Sequence, residues 1–366
     1  MGLRIESYSD AHVAAAREFN ERIAGASDFG LSKQTPKIEP EDAPIRHHHY
    51  VVLEDDAVRG GYLMASFGGW LGGETARVWN CREPLSEGIV NSKYTFLAIR
   101  MLRHIQQQSP YVFALGMGGE QLPFPRLLRG SGWTVQPVPF LFRVFSAGRF
   151  ARELSLLKRA KLRPFARIAA FTGIAKVGTT LLHLRSVTAP LATRGCTIEK
   201  VEEWGSWADD IWSRFRGMCS FSVMRDRETL AALYPLKDGR ITAYLIRRGG
   251  EPLGWAATMN TPMKNHKYFG NMRVGTILDC VAPADGMRAC AALATKTLAR
   301  GGADLVVTNQ SHAGIVKVFR QTGFLSAPSN YILAMSKGLS EAISKQPEGK
   351  DRMHFTRGDS DGRIHL

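Results

Sequence analysis

The sequence predicts an α/β protein made of two domains with the same arrangement of helices and strands. Its 366 residues are enough for about two domains of ordinary size. Hydrophobic residues make up 44% and charged residues 22%, which is typical of a globular protein and excludes a wholly disordered chain or a coiled coil. The same order of periodic apolar segments occurs in both halves of the chain, and this is the pattern of an internal repeat.

The first half alternates between helical and extended patterns. Residues 9–24 place apolar side chains at helical spacing and predict a helix. Two apolar runs, HYVVLEDD and RGGYLMASF, flank acidic turn residues and predict a β-hairpin. The remainder predicts, in order, a strand at ARVWNC, a helix over 93–107, a strand at YVFALGMGG, a short helix over 125–129 and a strand at VPFLFRVF.

The second half repeats this order with different residues. It predicts a strand at CTIEKV, helices over 202–215 and 226–234, a hairpin over 240–260, a strand at VGTILDCVAP, a helix over 287–300, a strand at ADLVVTN, a helix over 313–321 and a strand at YILAMSK. We therefore expect an N-terminal domain over 1–145 and a C-terminal domain over 196–337. Residues 338–366 are polar and without periodicity, so we expect a disordered tail.

A basic connector over 146–195 joins the two predicted domains. Ten basic residues and one acidic residue lie between positions 149 and 194, so this segment holds most of the net charge of +15. Its apolar residues recur at helical spacing. One interpretation is a pair of helices that packs between the domains. The other is a peripheral contact with an anionic membrane at its inner face. No nucleic-acid recognition motif accompanies the charge, so we expect no specific nucleic-acid partner.

The cysteines and histidines predict no metal site. The five cysteines are widely spaced, without a C-x-x-C pair, and we expect reduced, mostly buried thiols. The triple His47-His48-His49 falls in a strand, where neighbouring side chains point to opposite faces and cannot all hold one ion. The N-terminus lacks the apolar core of a signal peptide, and no apolar run is long enough to span a membrane. We therefore expect a cytoplasmic protein.

One motif resembles a known family. The run V-V-T-N-Q-S-H-A-G-I-V-K-V-F-R-Q-T-G-F, residues 306–324, resembles the closing segment of GCN5-related N-acetyltransferases, in which a strand ends in Asn, a short helix follows and a Gly-Phe corner returns to the sheet. ALGMGG followed by LLRGSGW resembles the same segment in the first half. The resemblance covers roughly residues 1–145 and 196–337 and implies two tandem acetyltransferase-type domains, each with a splayed sheet.

The resemblance also implies a binding site for acetyl-CoA or another acyl-CoA, and no metal. In this family the thioester lies in the split of the sheet and a glycine-rich loop before a helix takes the pyrophosphate. The equivalent loop in the second domain keeps only its central glycine. The donor-binding residues implied there are Val281, Asp285, Gly286, Met287, Arg288, Asn309 and Phe319. Asp285 would repel a pyrophosphate, and Arg288 could offset it.

Three residues are candidates for proton transfer. Asp279, on the strand before the loop, is placed to act as a general base, although strand alternation also allows an outward-facing residue there. Glu87 follows the equivalent strand of the first domain, where it is either a base or part of a helix cap. The family's usual tyrosine acid is replaced by Phe319 and Leu128, so Tyr331 is the remaining candidate acid. His312 is a rival base or a helix cap.

These features favour transfer of an acyl group from coenzyme A to the amine of a small-molecule or sugar-type acceptor. Two other hypotheses remain open. A tandem arrangement also resembles the Fem-type aminoacyl transferases of cell-envelope synthesis, which use aminoacyl-tRNA and act near the membrane. Alternatively, the degenerate loops indicate a pair of domains that binds a ligand without catalysis. The second domain keeps the fuller motif, so we expect the donor there.

Overall fold

The computed structural model of the protein describes residues 2–36, 38–157 and 189–359. In the first half, the strands are β1 (Arg4–Ser7), β2 (Ile45–Glu54), β3 (Ala57–Leu71), β4 (Glu74–Ser86), β5 (Val112–Leu115), β6 (Thr134–Pro137) and β7 (Phe140–Val144). The α-helices of this half are α1 (Val13–Ile23), α2 (Leu97–Gln108), α3 (Pro123–Gly130) and α4 (Ala147–Leu157).

In the second half, the strands are β8 (Cys196–Val201), β9 (Phe221–Val223), β10 (Thr242–Arg248), β11 (Glu251–Pro262), β12 (Arg273–Val281), β13 (Leu305–Asn309), β14 (Leu325–Ala327), β15 (Ile332–Met335) and β16 (Met353–His354). The α-helices are α5 (Ala189–Ala192), α6 (Trp207–Phe215), α7 (Arg227–Leu233), α8 (Met287–Arg300), α9 (Ala313–Gln321) and α10 (Lys337–Ser344). Both predicted hairpins are present, as β2–β3 and β10–β11.

The chain divides into two compact units. Of the described residues, unit 1 consists of 2–36, 38–137 and 332–346, and unit 2 of 138–157, 189–331 and 347–359. The main sheet of unit 1 has the strand order β1-β2-β3-β4-β5-β15-β6, in which β4 and β5 are parallel and the other neighbours antiparallel. Alternate side chains of its strands face opposite ways, so one apolar cluster contains Tyr62 and Leu97 of α2, and another contains Val51 and Phe19 of α1.

Unit 2 contains a second mixed sheet. Its strand order is β14-β7-β13-β12-β11-β10-β8, with β12 and β13 parallel and the other neighbours antiparallel. α8 packs against this sheet with small side chains, among them Ala289, Cys290 and Ala294, all fully buried. Gly254 on β11 leaves room for the Cys290 sulfur, because a Cβ there would overlap it. The predicted fold class, two mixed and mostly antiparallel sheets flanked by helices, is confirmed.

The predicted boundaries differ from the observed units by one strand each. β7 was expected to close the first domain, but it lies in the sheet of unit 2 between β13 and β14. β15 was expected to close the second domain, but it lies in the sheet of unit 1 between β5 and β6. All four β15 residues are fully buried, as a central strand requires. The two halves of the sequence therefore exchange their closing strands.

The predicted disordered tail is also corrected, because residues 338–359 are structured. α10 begins after Ser336, whose hydroxyl accepts a hydrogen bond from the N–H of Leu339 and caps the helix. Leu339 and Ile343 bury the apolar face of α10 within unit 1. Residues 347–359 belong to unit 2. The sequence did not predict this helix because α10 is short and only one of its faces is apolar.

Part of the basic connector is described. α4 covers residues 147–157, and Phe150 packs in an apolar cluster of unit 2 with Phe142 and Met272. Arg149 forms an ion pair of 3.2 Å with Asp304 of the same unit. Residues 158–188, which carry most of the predicted basic helical pattern, lie outside the described residues. Across the described ranges, no helix has the length and apolar composition needed to cross a bilayer.

Candidate active site

Both sheets open between one pair of parallel strands. In unit 1, β4 pairs with β5 at Trp79–Val112 and Asn80–Phe113, and β4 then continues to Ser86. In unit 2, β12 pairs with β13 from Val274–Leu305 to Thr276–Val307 and then continues to Val281. The predicted splaying is thus present in each unit. It defines the two places where an extended ligand could lie between strands.

In unit 2, residues 351–359 lie against the diverging ends of β12 and β13. We call these residues the C-terminal segment. Thr356 forms a β-bridge with Gln310, which directly follows β13. The N–H of Ser311 donates to the carbonyl of Phe355 at 3.1 Å. Five residues of the segment fill this region, and each is at most 2% exposed. They are Met353, His354, Phe355, Thr356 and Asp359. The chain itself therefore fills the split of unit 2.

The C-terminal segment is also fixed on its other side. β16 pairs in parallel with β9. The Arg352 guanidinium donates to the carbonyl oxygens of Met218 at 2.8 Å and Gly217 at 2.6 Å. The rings of Phe221 and Phe355 stack with centroids 4.8 Å apart. These contacts make the segment an integral part of unit 2 rather than an appendage.

Asp279 lies in a closed network of buried polar groups. Its carboxylate accepts hydrogen bonds from Arg225 Nε at 2.6 Å, from Tyr234 Oη at 3.0 Å and from the N–H of Cys280 at 2.8 Å. Arg225 also contacts Asp359 of the C-terminal segment at 2.7 Å. The side chains of Arg225, Asp279 and Asp359 have no exposed surface. A proton acceptor must approach its substrate, and the Asp279 carboxylate is fully buried and already accepts three hydrogen bonds.

Burial and the neighbouring charges fix the protonation states of Tyr234 and Arg225 in this network. Burial raises the pKa of Tyr234 well above its ordinary value, so the phenol keeps the proton that it donates to Asp279. Burial alone would lower the pKa of Arg225, but the carboxylates of Asp359 and Asp279 outweigh it and raise the pKa. Arg225 therefore remains a cation between two acidic side chains. The arrangement is a buried ion-pair cluster whose partners are mutually satisfied.

His354 and Ser222 extend the network into a chain of contacts that resembles a nucleophilic triad. His354 Nδ1 lies 3.2 Å from Ser222 Oγ, and its Nε2 lies 3.5 Å from Asp279 Oδ1. Burial lowers the pKa of His354 to about 3, so the imidazole is neutral near pH 7. All three side chains are fully buried. A substrate therefore has no access to the Ser222 hydroxyl in this structure.

The charged side chains of the glycine-containing loop of unit 2 contact residues from other parts of the unit. α8 follows Gly286, and Arg248 pairs with Asp285 at 3.2 Å. Arg288 donates a hydrogen bond to Gln321 of α9. Val281 and Met287, the remaining predicted donor contacts at this end of β12, are buried. Both charged residues predicted to meet the donor phosphates are therefore paired within the protein.

The two other donor contacts predicted in unit 2 are also buried. Asn309, at the end of β13, donates to the carbonyl oxygens of Val138 and Pro139, both at 3.3 Å, and accepts from Arg357 Nε at 2.8 Å. Phe319 packs edge-on against Phe324 with centroids 5.0 Å apart. The structure therefore brings Asn309 to the C-terminal segment and places Phe319 in the apolar core.

Glu87 closes the end of β4 in unit 1. Its side chain is 5% exposed, and its carboxylate lies 3.2 Å from guanidinium nitrogens of both Arg22 and Arg59. The preceding residue, Ser86, caps the short 3-10 turn over Glu87–Ile89 by accepting the N–H of Gly88. Ser86 is therefore the cap of this turn, and Glu87 is a carboxylate held by two cations, whose role as a base stays a prediction.

Tyr331 lies just before β15, in a part of the chain that belongs to unit 2. Its ring is covered by the Arg357 guanidinium at 5.3 Å from the ring centroid, and its hydroxyl lies 3.5 Å from the Arg357 carbonyl. Tyr331 is 7% exposed. His312, the rival base, caps α9 by accepting the N–H of Gly314 at 3.1 Å. Tyr331 therefore contacts Arg357 of the C-terminal segment, and His312 serves as a helix cap.

A cavity of about 170 Å³ lies in unit 1. We call it the unit 1 cavity. Its lining residues come from the end of β1, the loop before β2, and strands β2 to β4, and they are Tyr8, Gly30, Leu31, Ser32, His49, Tyr50, Tyr62, Leu63 and Leu85. Nothing in the sequence pattern singled out this group, because its members come from five separate stretches of the chain and are individually ordinary.

The three consecutive histidines have separate surroundings. His47 contacts Glu39 at 2.7 Å, His48 packs against Trp79 with centroids 4.7 Å apart, and His49 lines the unit 1 cavity. Within the ranges that the structure covers, no group of three or more His, Cys, Asp or Glu side chains is placed to hold a metal ion. Four of the five thiols are buried, as expected, and burial raises the pKa of Cys280 well above its ordinary value.

Sequence reasoning missed Arg225 and Asp359, the partners of Asp279. Arg225 follows a three-residue strand and Asp359 lies in a polar segment, so neither sits in a periodic pattern. A weak signal was available, because a carboxylate in the strongly apolar run TILDCVAP predicts a buried cation somewhere in the chain.

Comparisons with known proteins support the fold. A GCN5-related N-acetyltransferase from Anabaena variabilis superimposes with a TM-score of 0.56 at 10% identity, covering 94% of this chain and 75% of that one. A GCN5-related N-acetyltransferase from Kribbella flavida gives 0.51 at 14% identity, covering 94% and 74%. An Enterococcus faecalis protein of unknown function, described as a probable N-acyltransferase, gives 0.51 at 11% identity, covering 95% and 76%.

These similarities define the class of fold. The chain has the fold of GCN5-related N-acetyltransferases, present here as two splayed sheets in one polypeptide. No family model matches the sequence, and no curated protein does so either. The structural neighbours are described as N-acetyl- or N-acyltransferases, at identities of 10–14%.

Proposed function

We propose that this protein is an N-acyltransferase that moves an acyl group from a coenzyme A thioester to an amine. The observation that carries the proposal is the pairing of a splayed sheet with a helix N-terminus in unit 1. β4 diverges from β5 after Asn80, and α2 begins at Leu97, shortly beyond the end of β4. An acyl thioester can lie along such a split while the first turn of a helix faces the pyrophosphate.

We place the donor in unit 1, whereas the sequence motif favoured the second domain. The reason is the C-terminal segment, which fills the region of unit 2 where β12 and β13 diverge. Asp285 and Arg288 are paired with other side chains. A donor in unit 2 would have to displace a buried, ion-paired segment, and breaking a buried ion pair is strongly unfavourable.

The phosphate end of the donor fits the beginning of α2. Phe96 precedes this 12-residue helix and supplies no side-chain hydrogen bond to its first turn. The N–H of Ile99 donates to the Phe96 carbonyl at 3.2 Å, so the groups that we propose for an anion are the N–H groups of Leu97 and Ala98. Lys93 and Arg100 flank this turn. The Lys93 ammonium lies 2.8 Å from Glu54, but its side chain is 62% exposed, so it can also face a ligand. Their positive charge favours a diphosphate.

The three predicted proton-transfer residues have different roles in this proposal. Asp279 and Tyr331 are positioning residues that hold the C-terminal segment, through Arg225 and Arg357 respectively. Glu87, fixed by Arg22 and Arg59, stands where β4 ends and is the candidate that lies in the proposed donor unit. We retain Glu87 as the proposed site of proton transfer from the attacking amine. Because its carboxylate is buried and ion-paired, as that of Asp279 is, this role requires its contacts with Arg22 and Arg59 to open when the substrates bind.

Two glycines in equivalent loops provide the test. A Cβ at Gly88 would lie 2.6 Å from the carbonyl oxygen of Tyr94, which belongs to the backbone, so Gly88→Ala forces the loop before α2 to shift. A Cβ at Gly286 would lie 2.8 Å from the flexible side chain of Leu253. We expect calorimetric titration with acetyl-CoA to show at least roughly tenfold weaker binding to Gly88→Ala and nearly unchanged binding to Gly286→Ala.

The opposite pattern would move the donor to unit 2. A folded wild-type protein that binds neither coenzyme A nor acetyl-CoA would contradict coenzyme A dependence. Binding of aminoacyl-tRNA would then favour the Fem-type hypothesis, and binding of neither donor would favour a non-catalytic pair of domains. The acceptor that we propose is a small-molecule or sugar-type amine, in the cytoplasm or at the inner face of the membrane.

A further inference from the structure

We propose that one end of the unit 1 sheet binds single-stranded RNA, with the bases stacked on tryptophan rings and the phosphates facing two arginines. This inference goes beyond the proposed acyl transfer and does not depend on it. Strands β2, β3 and β4 form the surface, which we call the open sheet face. Its members are Arg46, His48, Gly68, Trp70, Arg77 and Trp79.

The strand register places these residues on one face of the sheet. Arg46 pairs with Ser66, and Ser66 pairs with Trp79, so these three residues form one row across the strands. Gly68 pairs with Arg77 in the next row. Alternate residues of a strand share a face. The two further members that alternation places on this face are His48 and Trp70.

α2 covers only part of this face of the sheet. Tyr62 and Met64 of β3 are buried in the cluster that α2 completes. Further along the same face, Gly68 is partly exposed and Arg77 beside it is exposed. Because Gly68 has no side chain, a ligand can approach the backbone there. The split of this sheet opens beyond Asn80, in the other direction along β4, so a ligand on the open sheet face does not occupy the proposed donor site.

The two arginines of the open sheet face have no acidic partner. Within the described ranges, neither Arg46 nor Arg77 has a carboxylate at ion-pair distance. Burial and the charge of Arg46 lower the pKa of Arg77, but a guanidinium remains a cation. Glu39, the carboxylate whose charge reaches His48, is already paired with His47 at 2.7 Å. Two neighbouring cations without an acidic partner favour a ligand with repeated negative charges.

The tryptophan beside these cations is held in place. Trp79 packs against the cluster that faces α2, and its ring centroid lies 4.7 Å from that of His48. Burial lowers the pKa of His48, so its imidazole is neutral near pH 7. Trp70 and Trp79 are both partly exposed. Aromatic rings next to a positively charged surface are the combination that binds single strands, because bases stack on the rings while phosphates meet the cations.

This chemistry favours single-stranded RNA over a lipid surface or a duplex. Contact with a bilayer also needs apolar side chains that enter the lipid, and the open sheet face, all of it within the described ranges, has no exposed aliphatic side chain. A duplex keeps its bases stacked on one another, whereas the unpaired bases of RNA are free to stack on aromatic side chains. Stacking accepts every base, so this surface needs no sequence-specific recognition motif.

The test is fluorescence anisotropy on the full-length protein with a labelled oligouridylate of about 12 nucleotides. An RNA duplex and a single-stranded DNA of the same length are the comparisons, and we expect the single-stranded RNA to bind most tightly. Arg77→Gln should weaken its binding and reduce the slope of log affinity against log salt by about 0.7. Arg126→Gln is the matched control, because Arg126 is an exposed cation of the same unit on α3, outside the open sheet face.

Two further variants test stacking separately from charge. Trp79→Leu removes a ring but no charge, so we expect roughly tenfold weaker binding of RNA with an unchanged salt slope. Gly68→Gln places a side chain where the ligand approaches the backbone and should also weaken binding. The backbone of Gly68 is not in the left-handed region, so the strand accepts a side chain there. Arg77→Gln and Gly68→Gln should leave binding of acetyl-CoA unchanged.

Several outcomes would overturn this inference. Equal affinity for the single strand and the duplex, or equal effects of Arg77→Gln and Arg126→Gln, would mean that only general positive charge attracts RNA. Tighter binding of the DNA strand would contradict the assignment to RNA. Sedimentation with anionic vesicles without binding of RNA would assign the face to lipid. If circular dichroism shows that Trp79→Leu does not fold, unchanged RNA binding by Gly68→Gln is sufficient to reject stacking. Each of these results leaves the proposed acyl transfer intact, because acetyl-CoA binding is measured separately.

Discussion

Arg225 Nε lies 2.6 Å from a carboxylate oxygen of Asp279, and neither side chain has any exposed surface. The same guanidinium contacts Asp359, near the end of the described chain. One cation thus joins the splayed strand β12 to the C-terminal segment. This relationship links the stability of unit 2 to residues that the sequence pattern assigned to a disordered tail.

The first prediction concerns that cation. Arg225→Met removes the cation that pairs with two buried carboxylates, and we expect the free energy of unfolding to fall by about 3–5 kcal/mol. Arg248→Met removes the partly exposed pair with Asp285 in the same unit and should change it by less than about 1 kcal/mol. Urea denaturation followed by fluorescence measures both. Equal effects of the two variants would contradict the view that the buried network holds unit 2 together.

The second prediction concerns the C-terminal segment. A chain that ends at Gln346 loses the β9–β16 pairing and the Arg225–Asp359 contact, so we expect a markedly lower melting temperature or aggregation. A chain that ends at Asp359 keeps both contacts and serves as the control. If the chain that ends at Gln346 melted at the same temperature as the full-length protein, the segment would make no contribution to folding.

The third prediction follows from the exchanged strands. A fragment of residues 1–145 lacks β15, and β15 is the strand with which β6 pairs in the sheet of unit 1. We expect this fragment to show no cooperative thermal transition. Adding residues 332–346 through a flexible linker restores all residues of unit 1 and should restore the transition. A cooperative transition in the 1–145 fragment alone would mean that β15 is dispensable.

The fourth prediction concerns acid stability. The pKa of His354 is about 3 in the folded protein, against an ordinary value of 6.5, so the unfolded chain binds a proton between these values and the folded protein does not. The stability associated with neutral His354 is therefore complete above about pH 6.5 and is lost as the pH falls toward 3, by up to about 1.4 kcal/mol per pH unit. Urea denaturation at pH 7, 6, 5 and 4 should show a shallower loss for His354→Phe than for wild type. Parallel curves would argue against burial of a neutral imidazole.

The fifth prediction separates the two interpretations of the basic connector. If the connector contacts anionic lipid, the protein should sediment with anionic but not with neutral vesicles, and salt should release it, at about 1 kcal/mol for each basic residue near the surface. Reversing the charges of Lys158, Arg159 and Lys161 should then abolish sedimentation. If the connector instead packs within the protein, both the wild-type protein and the charge-reversed variant should sediment weakly with vesicles. The charge reversal should then leave the free energy of unfolding nearly unchanged.

Local patterns in the sequence predicted most of the elements, and the resemblance to the acetyltransferase family implied the splayed sheets. Both hairpins follow from apolar runs on either side of turn residues. Strand alternation also allowed Asp279 to face outward, and that alternative is wrong because Asp279 is fully buried. β11 and β12 shift register between Ala257 and Thr258, so Leu278 is an extra residue in β12 and alternation is interrupted there. A one-residue bulge leaves no trace in the apolar pattern.

The exchange of β7 and β15 could not be predicted for a different reason. The residues of β15, ILAM, predict a fully buried strand equally well in either sheet. Partner choice depends on contacts with β5 and β6, roughly 200 positions earlier in the chain. Likewise, the unit 1 cavity depends on loop and strand residues that meet only after folding.

The strand exchange has a consequence for synthesis on the ribosome. When β6 leaves the exit tunnel at residue 137, its partner β15, at residue 332, has not yet been made. At about 5–20 residues per second, translation of the intervening chain takes roughly 10 to 40 seconds. During that interval, β5 presents its unpaired edge, with Phe113, Ala114 and Leu115, to the cell. We therefore expect the nascent first half to expose this strand edge until β15 is made, and slower translation of the second half would lengthen its exposure to aggregation.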